Sequence, residues 1–220
     1  GLEKNIINIA NNLSDKNYSV NLLTFDLADS KPFYNLKNNV KWFKIGVSKP
    51  HYRYKFLEKI KLFISIRKII KNNNQSGVQI VCFHHGLLPR IIISTLGLNV
   101  EIYCSERNSL SIYKYVKQNK INFGFLLIFF VKKIIIQFKE YRDNYPKIFF
   151  NKITVINNIV EDLKIDSKLK KKKILNIGRL CSQKQQLDLI KIFESISDKC
   201  PDWNLTIIGD GDLDIILKNY

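Results

Sequence analysis

Two cations flank a turn in the stretch KILNIGRLCSQKQQLDLIKIF, Lys173 to Phe193. Arg179 follows Gly178 directly, and Lys184 comes five positions later. A short apolar run precedes them and an amphipathic helical pattern follows, so they stand at a strand-to-helix turn. The start of a helix offers unpaired N–H groups and a partial positive charge. An Arg adds a planar fork for two oxygens, and a Lys adds a point charge. The chemistry on offer is the grip of a phosphate or diphosphate. Each hydrogen bond to a charged group contributes about 1.5–3 kcal/mol. Two solvated cations on a lysine-rich protein fit the same spacing, so spacing alone leaves both readings open.

Two further constellations follow apolar runs. His84, His85 and Gly86 come directly after VQIVCF, and Glu106 and Arg107 directly after VEIYCS. In a parallel α/β sheet, ligands bind beyond the C-terminal ends of the strands, where these residues fall. A His there can act as a base or bind phosphate. A Glu can orient an acceptor hydroxyl, and an Arg can hold an anion. Polar residues opening a loop, and a loop ion pair, are the plainer alternatives. No third and fourth ligands are spaced to make the histidines a zinc site. There is no G-x-G-x-x-G, no P-loop and no G-x-S-x-G elbow, which disfavours dinucleotide enzymes, P-loop NTPases and α/β-hydrolases.

The elements that must position these residues alternate along the chain. EKNIINIANNLS is spaced as a helix, YSVNLLTF and VKWFKI as strands, and Tyr54 to Lys71 as a helix. The apolar stripe of that second helix is expected at Phe56, Ile60, Phe63, Ile64 and Ile70. VQIVCF, VEIYCS, KIIIQF and KITVIN read as strands. LPRIIISTLG suits a short helix stopped by Gly97, Ser111 to Val131 is mostly helical, and KEYRDNY is a short helix. Such alternation predicts parallel β-α-β units in an open sheet. The pattern lapses in EDLKIDSKLKKKK and restarts at Ile174. The expected organisation is therefore a domain over 1–159, a linker over 160–172 and the start of a second domain over 173–220.

The 220 residues carry a net charge of +17, which draws the protein toward anionic partners. The apolar fraction of 45% and the 12% aromatics supply a core and argue against disorder. Cys82, Cys104, Cys181 and Cys200 form no C-x-x-C pair and read as reduced thiols of a cytosolic protein. The longest uncharged apolar run, Ile121 to Val131, has eleven residues. A bilayer span needs about 20, so a buried helix is expected. The chain has no methionine and ends inside a helical pattern, as a piece of a longer protein would.

The stretch NIGRLCSQKQQLDLIKIFESISDKCPDWNLTIIGDGDL closely resembles the first β-α-β unit of the C-terminal domain of GT4-type glycosyltransferases, which have the GT-B fold. Arg179 and Lys184 fall at that family's diphosphate clamp. Gln185 replaces its usual Gly. Gly178 and the second turn, Gly209, Asp210 and Gly211, match positions near the nucleotide. Gly1-Leu2-Glu3 resembles the tail of the G-G-x-E turn, which places Gly1 near the donor phosphate. SERNSL resembles the S-E-R-N segment of a subgroup transferring galactose or N-acetylgalactosamine to lipid-linked oligosaccharides.

The resemblance implies a GT-B architecture of two Rossmann-like parallel-sheet domains, the second truncated. It implies a retaining hexosyltransferase that uses a nucleotide sugar, expected to be a UDP-sugar, with no metal and no further cofactor. Glu106 and His85 are then candidate catalytic residues, and His84, Arg107 and Asn108 lie on the acceptor side. The implied acceptor is a bacterial surface or lipid-linked glycan, and the implied location is the inner face of the cytoplasmic membrane, in contact with anionic lipid. The family's E-x7-E element falls beyond Tyr220, so this stretch alone is expected to be inactive. A sugar-nucleotide epimerase or hydrolase of the same fold is the rival enzyme. A basic nucleic-acid- or membrane-binding domain is the non-enzymatic rival.

Overall fold

A computed structural model of the chain describes residues 2–46, 56–73, 77–110, 126–158 and 172–220. Gly1, most of the expected linker and 111–125 of the expected helix lie outside these residues. The chain divides into two compact units, Gly1–Val160 and Glu161–Tyr220.

The first unit runs α1 (Leu2–Asp15), β1 (Asn21–Thr24), β2 (Lys41–Lys44), α2 (Phe56–Asn72), β3 (Val78–Cys82), α3 (Leu88–Thr95), β4 (Val100–Ser105), β5 (Lys133–Ile136) and β6 (Ile153–Val155). β1 and β2 form a parallel pair. The other four strands form a parallel sheet in chain order, β3-β4-β5-β6. Ile102 and Cys104 of β4 and Ile134 and Ile136 of β5 are buried, and Leu88 and Ile92 of α3 pack into the same cluster. Gly97 follows α3 at φ 74°, a left-handed stop that glycine adopts without strain. Two expectations change here. KEYRDNY forms a 3₁₀ turn over Lys139–Asn144 rather than an α-helix, and a second such turn covers Lys147–Lys152. The described end of the apolar run is also a 3₁₀ turn, Leu127–Phe130, in which Ile128 is buried and Phe129 and Phe130 are exposed.

The face that α2 buries also differs from the expected stripe. Leu62, Ile66 and Ile70 are buried against Leu23, Phe25, Ile45, Ile80 and Val100, while Phe56, Ile60 and Ile64 are exposed. The helix carries apolar residues on two sides, so periodicity fits either rotation. Arg67 contributes to the choice: its Nη1 donates to the carbonyls of Ser94 (3.1 Å) and Leu96 (2.7 Å) at the end of α3. Those are carbonyls that a helix end leaves without an intrahelical partner.

The second unit contains β7 (Lys173–Ile177), α4 (Gln186–Ile196), β8 (Asn204–Ile208) and α5 (Asp214–Lys218), with β7 and β8 parallel. All four cysteines are free, and Cys82 and Cys104 are buried. Burial pushes the Cys82 thiol up to about 12 and raises Cys104 as well. Among the described residues no helix is long and apolar enough to cross a membrane. Nor do any three His, Cys, Asp or Glu side chains among them group to hold a metal ion.

Candidate active site

In the first unit the chemistry-bearing residues gather beyond the C-terminal ends of β3, β4, β5 and β6. Glu106, the first residue after β4, is 1% exposed. Its backbone N–H donates to the Ile135 carbonyl of β5 at 2.8 Å. Its Oε2 accepts from the backbone N–H of His85 (2.9 Å). Its Oε1 accepts from the backbone N–H groups of Arg107 (3.0 Å) and Asn108 (3.2 Å). One carboxylate thus joins the loop after β3 to the turn after β4, with both oxygens occupied by main-chain donors. Such charge-assisted bonds are stronger than neutral ones.

His85 is buried at 2% exposure, and its Nε2 finds no hydrogen-bond partner among the described residues. Burial lowers its pKa from the ordinary 6.5, against an upward pull from the nearby Glu106 charge. His84 is half-buried and caps the short 3₁₀ turn His85–Leu87, with its Nδ1 accepting from the Gly86 N–H at 2.9 Å. Arg107 is half-buried, and burial lowers its pKa. Its Nη1 donates to Asn158 Oδ1 at 2.5 Å beyond β6, and its guanidinium lies 5.7 Å from the Phe83 ring centroid. Asn108 is exposed. The acceptor-side residues named from sequence are therefore brought together. Asn158, Gln137 and Phe83 join them without having been singled out. Gln137 Nε2 donates to Asn158 Oδ1 at 3.2 Å. Each of the three lies just beyond an apolar strand, which is the signal that marks them.

In the second unit, two turns are zipped together at the C-terminal ends of β7 and β8. The Gly178 N–H donates to the Ile208 carbonyl (3.0 Å), and the Leu180 N–H to the Asp210 carbonyl (2.9 Å). The Leu180 carbonyl accepts from the Leu213 N–H at 3.1 Å. This closeness explains two glycines. A Cβ on Gly209 would sit 1.9 Å from the Gly178 oxygen, and one on Gly211 would sit 2.3 Å from the Leu180 oxygen. Their missing side chains are thus required by the neighbouring turn itself. Gln186, fully buried, donates from Nε2 to the Arg179 carbonyl at 2.8 Å and anchors the turn to α4.

Arg179 and Lys184 lie in the connection between β7 and α4, both exposed. Neither makes an ion pair or a side-chain hydrogen bond with the described residues. Asp188 sits in the first turn of the same helix. Gln185, between Lys184 and α4, adopts a left-handed conformation at φ 53°, ψ 35°. This is the position where the resembled family carries glycine, and the backbone here has the conformation that glycine favours.

Solved proteins share this architecture. The lipopolysaccharide outer core galactosyltransferase WaaB superposes over the whole of this chain and 60% of its own, with a TM-score of 0.67 at 15% identity. The chain has the GT-B fold of glycosyltransferases. Two structures of TarM also share the GT-B fold. A mutant from S. aureus in complex with Fondaparinux, α-GlcNAc-glycerol and UDP covers 71% of this chain and 33% of its own, with a TM-score of 0.52 at 14% identity. A second TarM structure matches over the same shares with a TM-score of 0.53. A Haemophilus influenzae protein described as an uncharacterized glycosyltransferase is 24% identical over 223 residues. That match spans all of this chain, which covers about three fifths (61%) of the relative's length. No protein-family model matches the chain.

Proposed function

We propose that the chain belongs to a retaining glycosyltransferase that moves a hexose or N-acetylhexosamine from a UDP-sugar to a bacterial surface or lipid-linked glycan. The first unit holds the acceptor, and the second begins the donor site. The observation that carries this reading is the pair of exposed cations, Arg179 and Lys184, which make no side-chain bond with the described residues, in the β7–α4 connection of a GT-B fold. As the glycosidic bond to the sugar breaks, negative charge gathers on the leaving diphosphate. Cations that meet the charge where it develops lower the barrier rather than merely tightening binding. The start of α4 adds its N–H groups, while Asp188 works against an anion and limits how far it can move along the helix.

In the first unit, Glu106 is a positioning residue in this reading, because both its oxygens are taken by main-chain donors. It sets the His84–Gly86 loop against the Arg107–Asn108 turn, where the acceptor is expected. The known associations of related folds support the substrate classes: WaaB is a galactosyltransferase of the lipopolysaccharide outer core, and a TarM structure contains UDP. A lipid-linked acceptor would bring the protein to the inner face of the cytoplasmic membrane.

The test uses the full-length protein and a radiolabelled UDP-sugar, with and without a lipid-linked acceptor. Arg179→Ala should lower turnover by roughly 10²–10³, by analogy with loss of an oxyanion donor. UDP affinity should fall alongside it. Near-normal turnover in that variant would sink the assignment. Release of free sugar or an altered sugar nucleotide without acceptor would indicate a hydrolase or epimerase. Binding to DNA that falls steeply with salt, with no response to UDP, would indicate a nucleic-acid protein.

A further inference from the structure

We propose that the pocket between α2 and α3 is a subsite for an acidic saccharide unit, a sugar that bears a carboxylate or a phosphate ester. The pocket measures about 250 Å³ and is lined by Lys59, Leu62, Phe63, Gly86, Pro89 and Arg90. Lys59, Leu62 and Phe63 come from one face of α2, at the i, i+3 and i+4 spacing that brings side chains together. Pro89 and Arg90 open α3, directly after the loop of His84 and His85. The Arg90 guanidinium is half-buried and lies 5.5 Å from the ring centroid of Phe25, just beyond β1. That stacking holds its charge in place. Lys59 is exposed. Neither cation makes an ion pair or a side-chain hydrogen bond with the described residues.

The lining selects the ligand by what it offers and what it lacks. Its polar side chains, an ammonium and a guanidinium, can only donate hydrogen bonds. A neutral sugar presents hydroxyl protons that need acceptors, and no side chain here supplies one. A carboxylate or phosphate only accepts, so it matches two donors that carry the opposite charge. A bare inorganic anion would satisfy the cations and leave Leu62, Phe63 and Pro89 facing water. A sugar ring turns C–H groups toward such walls while its acidic substituent meets the cations. The volume lies just below the range of about 300–1,000 Å³ common for small-molecule pockets, which suits one sugar unit rather than a whole nucleotide sugar. Gly86 connects the pocket to the acceptor-side cluster: its N–H donates to His84 Nδ1, and the neighbouring His85 N–H donates to Glu106. An acidic unit bound here would therefore set an acceptor glycan against that cluster. The choice of a saccharide among acidic ligands rests on the proposed function.

The test is an NMR titration of the full chain, labelled with nitrogen-15, in the absence of sugar nucleotide. The probes are methyl glucuronide, glucose 6-phosphate, methyl glucoside, inorganic phosphate and benzoate. The glucuronide or the sugar phosphate should shift the Gly86 amide, and methyl glucoside should bind at least about tenfold more weakly. Whichever acidic sugar binds tighter tells a carboxylate from a phosphate ester as the group recognised. Lys59→Gln and Arg90→Gln should each lower the affinity about tenfold, the loss of one hydrogen bond to a charged group. Lys59→Gln should leave the melting temperature unchanged, because the side chain is exposed, so it carries the test even if Arg90→Gln disturbs the fold. No shift at Gly86 with either acidic sugar would overturn the proposal. Equal binding of methyl glucoside, or a Lys59→Gln chain that binds like the unmodified one, would do the same. Inorganic phosphate or benzoate binding as tightly as the acidic sugars would also overturn it, since the sugar ring would then contribute nothing. UDP affinity that ignores Arg179→Ala fails the glycosyltransferase reading alone, and a pocket silent to the acidic sugars fails this inference alone.

Discussion

Glu106 and Arg179 both follow parallel strands closely, yet their surroundings differ sharply. Glu106 is sealed in, and its two oxygens receive three main-chain N–H groups. Only a carboxylate can accept on both atoms, because an amide would turn an NH2 group toward one of those donors. Glu106→Gln should therefore destabilise the first unit by about 1–3 kcal/mol, the cost of leaving a buried donor unsatisfied. Urea denaturation measures this, and an unchanged midpoint would argue against the positioning role. His85 yields a prediction in pH. Its folded pKa lies below the ordinary 6.5 because burial disfavours the charged ring. As pH falls through that value, the unfolded chain gains a proton that the folded chain resists. Stability from this residue is thus complete above about pH 6.5 and is lost below it. Melting temperatures followed from neutral to mildly acidic pH should fall, and His85→Gln should flatten that slope. Arg179, in contrast, is exposed and makes no side-chain bond with the described residues, which is why its variant is read in turnover and UDP affinity.

At the scale of elements, the two turns of the second unit act as one piece. Gly209 and Gly211 let the turns close on each other, and Gln186 ties the first turn to α4. Gln185 is the weak point, held left-handed at φ 53°. A side chain in that conformation costs roughly 1–2 kcal/mol. Glycine there would add about 0.5–1 kcal/mol of lost chain freedom. The first effect is the larger, so Gln185→Gly should stabilise the chain by about 0.5–1 kcal/mol. Thermal denaturation would register this as a raised midpoint. A lowered midpoint would show that the Gln185 side chain contributes more than its backbone strain costs.

At the scale of the whole molecule, the two units differ in how much they bury. The first has two apolar clusters, one around β4 and β5 and one under α2. Across the second unit's described residues, 172–220, only Leu180 and Gln186 are buried, and Leu175, Ile177 and Ile208 on its sheet are exposed. Little buried apolar area means little to oppose local opening. Hydrogen exchange should therefore be markedly faster at the amides of β7 and β8 than at those of β4 and β5. Equal protection in the two sheets would contradict that expectation.

The sequence by itself determined the alternation of strands and helices, the parallel pairing it entails, and the strand ends where polar residues collect. Those features depend on periodicity and on local turn chemistry, which are written residue by residue. The Gly178-Arg179 turn was legible for the same reason, whereas the S-E-R-N segment stood out only through its resemblance to a family motif. Tertiary structure alone decided the rest. α2 has apolar residues on two sides, so no pattern within it could say that Leu62, Ile66 and Ile70 face the core. The buried side was selected by partners distant in the chain, among them the carbonyls that Arg67 reaches at the end of α3. The inward turn of Glu106 likewise depends on the His85 N–H, supplied by a different strand's loop. The direction in which a side chain at a strand end points is set by what the neighbouring loops leave unpaired, and those neighbours meet only when the sheet forms.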